Sequence, residues 1–174
     1  MENTTLRREK ITQLIQASLV PISASALASK LGVSRQVIVG DVALLRAEGY
    51  DIIATARGYL TPATIKEGGY VRKIACQHPP ELLEAELHLL VNLGVRIEDV
   101  IIEHEVYGEL TGRLGIASCD DVEAFMRNLE KSQSKLLSEL TMGIHLHTII
   151  CQDFDHFEKV KVVLAEAGYL WNAN

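Results

Sequence analysis

The stretch LASKLGVSRQVIVGDVALLRAEGY, Leu27 to Tyr50, decides the first part of the fold. Leu27 and Leu31 close a short helix that Ser23 can cap, and Gly32-Val33 makes a tight turn. Ser34 then caps a longer helix that runs to Glu48, with Gly49 as its stop. At 100° per residue, Ile38, Val42 and Leu45 share one face and must pack inward, while Gln36, Val39, Gly40 and Ala43 point outward between Arg35 and Arg46. Upstream, Ile11, Leu14, Ile15 and Leu19 mark an amphipathic helix from about Thr5 to Ser18, which Pro21 ends. Downstream, Asp51–Ala54 and Tyr59–Thr61 predict two short strands around Arg57-Gly58. Three helices with a short turn before the third, followed by a hairpin, describe a winged helix-turn-helix.

The quoted stretch resembles the winged helix of biotin-repressor-type regulators. That resemblance makes Ser34 to Glu48 the recognition helix and puts Arg57-Gly58 at the wing tip. The expected DNA-facing residues are Ser34, Arg35, Gln36, Val39, Arg46 and Arg57. Gln36 can pair with adenine and Val39 can touch a thymine methyl, whereas Arg35 and Arg57 suit phosphates. Gly40 stands where such helices commonly carry a polar side chain, which weakens readout by one subunit and favours a dimer on a two-part operator.

Charge supports this division of the chain. The 174 residues carry a net charge of −6, but residues 1–60 hold seven Lys/Arg against five Asp/Glu, and the remainder holds ten against eighteen. All six histidines fall in the second part. Thr61-Pro62 and Gly68-Gly69 mark a linker, so the expected domains are 1–62 and 70–174. Apolar residues make up 48%, which argues against wholesale disorder. No apolar run reaches the roughly 20 residues of a spanning helix, so no membrane role is expected. The three cysteines lie far apart without a C-x-x-C pair, which argues against a disulfide scaffold and for a cytoplasmic protein.

From Tyr70 the patterns alternate. Strands are predicted at Tyr70–Cys76, Asp99–Val106, about Glu109–Ala117 and Ile144–Cys151. Helices are predicted at Pro80–Leu93, from Ser118 through about Leu137, and at Phe154–Ala167, ahead of a short Tyr169–Trp171 segment. This β-α-β-β-α-β-α order suggests a ferredoxin-like α/β (α+β) domain with one helix added. On the first of these helices, Glu86 sits near the centre of a stripe of Leu82, Leu83, Leu87, Leu90 and Leu93. A carboxylate there is costly unless it is paired or bound to a metal. Period two places His145 and His147 on one strand face, as two imidazoles gripping a single ion must be. His78, at the end of the first strand, can reach the same place. The first strand and the Ile144 strand are expected at opposite sides of the sheet. Convergence then needs another topology or a second subunit.

His78-Pro-Pro-Glu with Glu86, Glu103-His-Glu-Val-Tyr-Gly-Glu109 and Gly143-Ile-His-Leu-His-Thr148 look like the signature stretches of the three-histidine (3H) domain. Together with the winged helix, the whole chain resembles the NiaR-type niacin-responsive transcriptional repressors. That resemblance implies a homodimeric repressor of niacin uptake and NAD-precursor salvage genes, binding double-stranded operator DNA with nicotinic acid as co-repressor. It also implies a divalent transition metal, zinc or nickel, on His78, Glu86, His145 and His147. His104 with Tyr107, and Arg113, are then expected to help hold the effector. Two other functions fit the same residues: a repressor that senses metal alone, and a zinc enzyme with a DNA-binding head and Glu103, Glu105 or Glu109 as base. No H-E-x-x-H and no nucleophile–base pair is recognisable, so no catalytic residue is expected.

Overall fold

A computed structural model of the chain describes residues 2–62 and 69–171, so most of the predicted linker lies outside the described residues. Two compact units are present, Met1–Glu67 and Gly68–Asn174. No described helix is long and apolar enough to cross a membrane.

The first unit contains α1 (Glu2–Ala17), α2 (Ala24–Leu31), α3 (Arg35–Ala47), β1 (Ile53–Thr55) and β2 (Gly58–Leu60). Ser23 and Ser34 cap α2 and α3, accepting hydrogen bonds from the backbone N–H groups of Ala26 and Val37. Ile11, Ile15, Leu27, Ile38, Val42, Leu45 and Ile52 form one buried cluster. Asp41 of α3 is also buried, and both of its carboxylate oxygens accept from the Arg7 guanidinium at 2.6 and 3.3 Å. The apolar pattern gives no sign of this pin between α1 and α3.

The first hairpin strand starts later than predicted, because Ile52 turns into the core instead of pairing, and the second starts one residue earlier, at Gly58. Tyr59 pairs across to Ile22, exchanging backbone hydrogen bonds of 2.9 and 2.8 Å. The wing is thereby tied to the segment ahead of α2. Gly58 makes this approach possible: its φ is +132°, and a Cβ there would overlap the Ile22 backbone.

The second unit runs β3 (Tyr70–Gln77), a 3₁₀ turn at Pro80–Leu82, α4 (Leu83–Asn92), β4 (Arg96–His104), β5 (Gly108–Ile116), α5 (Cys119–Ser132), a 3₁₀ turn at Leu137–Thr141, β6 (Ile144–Cys151) and α6 (Phe154–Glu166). Compared with the predicted elements, β4 begins and ends earlier, since Glu105, Val106 and Tyr107 form the turn of the β4–β5 hairpin. The helix from Ser118 stops at Gln133, whose φ of +54° breaks it, so Leu137 belongs to a separate turn.

The sheet is antiparallel, in the order β3-β6-β4-β5. The split βαβ character survives, with β6 inserted between β3 and β4. The expectation that β3 and β6 lie at opposite sides fails. They are neighbours, paired from Tyr70↔Cys151 to Gln77↔Ile144. The Tyr169–Trp171 segment adds to the outer edge of β3, with Leu170 bridged to Cys76 and the Trp171 N–H donating to the Ala75 carbonyl at 2.8 Å. Along β6, burial alternates strictly, so His145, His147, Ile149 and Cys151 face inward. The core of this unit includes Ile74, Leu87, Leu90, Ile97, Ile116, Ile149 and Leu164, all almost fully buried.

Candidate metal centre and nucleic-acid interface

Four predicted ligands come together inside the second unit of a single chain. Glu86, in the first turn of α4, is fully buried, as are the side chains of His78, His145 and His147 to within 2%. Its Oε2 lies 2.6 Å from His78 Nε2 and 3.5 Å from His147 Nε2, and its Oε1 lies 3.3 Å from His145 Nε2. The rings stand edge to face, with centroids 4.9 Å apart for His78 and His145 and 4.8 Å apart for His145 and His147.

The opposite nitrogens explain the orientation. His78 Nδ1 donates to the Pro79 carbonyl at 2.9 Å, His145 Nδ1 to the Gly143 carbonyl at 2.8 Å, and His147 Nδ1 to the Asp99 carbonyl at 2.6 Å. In a neutral ring each such bond selects the tautomer with its lone pair on Nε2, the arrangement in which metal-binding imidazoles are usually held. Asp99 can offer its carbonyl because the β4 register shifts between Ile97 and Ile101. Gly143, at φ +87°, packs against the His78 backbone, where a Cβ would overlap the His78 carbonyl. Tyr169 covers the other side of His78, its ring centroid 5.6 Å away.

The electrostatics call for positive charge at the centre. Burial pushes the Glu86 carboxyl up, but His145, His147 and His78 outweigh it and hold the group well below the ordinary carboxylate range. Burial also disfavours charge on His78 and His147, yet Glu86 and the carbonyls on their Nδ1 atoms raise both above the usual histidine value. His147 Nε2 is nevertheless buried without a hydrogen-bond partner. Protons or a cation must fill this space, and the donor set (three imidazoles and a carboxylate) fits a zinc-like ion.

One further donor lies outside the predicted set. Cys76 is fully buried, and its thiol lies within 4.8 Å of ligand atoms of Glu86 and His145. Burial, followed by the Glu86 charge, pushes this thiol far up, so it stays protonated while no cation is bound. The signal for it is period two, since Cys76 shares a strand face with His78.

The residues predicted to hold an effector are not gathered as a set. His104, at the end of β4, stacks on Tyr107 with ring centroids 5.0 Å apart, and its Nδ1 accepts the Val106 and Tyr107 backbone N–H groups. Arg113 pairs in register with Asp99, away from them. A cleft of about 830 Å³ has His104, Glu103, Glu105, Glu109, His145 and Trp171 in its wall, but not Arg113 or Tyr107.

In the first unit, Ser34, Arg35, Gln36 and Arg46 are exposed along α3, and Arg57 is exposed in the wing turn. Val39 is half-buried against the core, so only part of it faces out. Ser34 Oγ is occupied with its own helix cap. The space around Gly40 is open, which leaves a smooth site in the middle of the helix.

A helix-turn-helix head joined to a 3H domain defines a class of DNA-binding transcription regulator. The HTH domain family matches residues 7–60, and the 3H domain family matches residues 71–173. The chain is 40% identical over 173 residues to the probable transcription repressor NiaR of Thermotoga maritima, covering 98% of each. It is also 40% identical over 166 residues to the transcription repressor NadR of Bacillus subtilis, covering 94% of this chain and 92% of that one. The chain belongs to the NiaR/NadR family of transcription repressors. These named relatives are repressors, not enzymes, in line with the absence of a recognisable catalytic motif.

Proposed function

We propose that this repressor responds to nicotinic acid as its co-repressor, through a divalent transition metal (zinc or nickel) held by His78, Glu86, His145 and His147. The observation that carries the proposal is the convergence of three imidazole Nε2 atoms on one buried carboxylate, with His147 Nε2 lacking a hydrogen-bond partner. When bound, such an ion supplies an electrophilic position for a small nitrogen or oxygen donor. The proposed effector site is the cleft that has His104, His145 and Trp171 in its wall. Glu103, Glu105 and Glu109 in that wall disfavour a carboxylate beside them, so the anionic end of nicotinate is expected away from these residues. His104 remains a candidate wall. Tyr107 and Arg113 lie outside the wall of the cleft.

The family resemblance supports a homodimer acting at genes for niacin uptake and NAD-precursor salvage. For the effector to act, it must favour one arrangement of the paired winged helices, since equal affinity for both shifts nothing. The test is fluorescence anisotropy of an operator fragment with metal-loaded protein at fixed salt, with and without nicotinate. Tighter binding with nicotinate, lost in His145→Ala, is expected. Binding that follows metal and ignores nicotinate would make the protein a metal sensor.

A further inference from the structure

Cys76 enters none of the assignments above. It is fully buried on β3, two residues before His78 and directly across from His145 in the β3–β6 register. Its Sγ, a Glu86 carboxylate oxygen and a His145 ring nitrogen lie within 4.8 Å of one another. That span suits one shared ion, since metal–ligand bonds of this kind run from about 2.0 to 2.3 Å. A second observation points to the same volume: His147 Nε2, buried and aimed at Glu86, has no hydrogen-bond partner.

We propose that Cys76 is a sulfur ligand of the ion held by Glu86 and the histidines, which makes the centre a mixed nitrogen, oxygen and sulfur site. This rests on the metal-binding reading of the cluster. As the sulfur–metal bond forms, the S–H bond breaks and its proton passes to solvent, with no change in oxidation state. A thiolate donor favours zinc and other thiophilic ions over magnesium, calcium or manganese. It therefore strengthens a preference that the three imidazoles already give.

X-ray absorption at the zinc edge of the zinc-loaded, full-length protein tests this without a variant. A sulfur scatterer at about 2.3 Å beside nitrogen and oxygen at about 2.0–2.1 Å is expected. A purely nitrogen and oxygen shell around stoichiometric zinc overturns the proposal and leaves the metal reading intact. Failure to retain zinc through dialysis overturns both. In the cobalt-substituted protein, a near-ultraviolet sulfur-to-cobalt band should vanish in Cys76→Ser while the visible d–d bands remain. Persistence of that band in Cys76→Ser also overturns the proposal. Zinc affinity of Cys76→Ser should fall by about 10- to 100-fold.

Discussion

Glu86 is a carboxylate with no access to water, and its neighbours decide its effect on stability. Glu86→Gln keeps the shape but removes the charge on which three imidazoles converge. Zinc affinity measured by chelator competition should fall by at least about 10-fold, and thermal unfolding should lose its response to zinc. Gly143→Ala attacks the same centre through the backbone, because a side chain at φ +87° would displace the His78 carbonyl. Its zinc affinity should fall although no ligand has changed. Gln36 and Arg35 separate two kinds of DNA contact. Gln36→Ala should relax preference at one base pair by about 1–3 kcal/mol. Arg35→Ala should weaken binding to all sequences and lower the salt slope by about one. Anisotropy with operator fragments substituted at single base pairs checks the first, and its titration against salt checks the second.

At the level of elements, the helices are the most legible part, because capping is local. Ser23, Ser34 and Ser118 all cap the helices that follow them. The inward faces of α3 and α4 follow equally from periodicity, which assigns Glu86 to a buried surface. On β6 it puts His145 and His147 on one face, and only the structure shows that face to be the buried one. What periodicity cannot give is which strand lies beside which. The neighbourhood of β3 and β6 is set by packing across some seventy residues of chain, so convergence of His78 with His145 is open in the sequence. The β4 irregularity that aims the Asp99 carbonyl at His147, and the pairing of Ile22 with Tyr59, are likewise products of close approach. Gly58→Ala tests the latter. It should destabilise the winged-helix unit by about 1–3 kcal/mol and speed amide exchange at Ile22 and Tyr59.

For the whole molecule, the buried cluster makes stability depend on pH in opposite senses with and without metal. His78 and His147 have raised values in the folded protein, so without metal their stabilising contribution is full below the ordinary histidine value of about 6.5. It is lost as pH rises through their folded values. The Glu86 value is depressed, so its contribution is full above about 4.3 and is lost as pH falls toward the folded value. The metal-free protein should therefore be firmest between roughly pH 4.5 and 6.5 as far as this cluster decides. Metal competes with the same protons, so its stabilisation should grow as they leave. The difference in Tm with and without excess zinc is expected to widen steadily from pH 6 to pH 8. A constant difference would contradict the arrangement of donors described above.

The position of β3 also sets a timetable for the molecule's birth. Among the described strands, β3 pairs only with β6 and with the short segment around Leu170, both made long after it. On the ribosome, the winged-helix unit can gather its own core while β3, with Cys76 and His78, still waits for a template. The centre cannot close until residues 144–151 have emerged, and Tyr169 covers His78 later still. A nascent chain thus acquires the shape of a DNA reader before it acquires the centre that would instruct it.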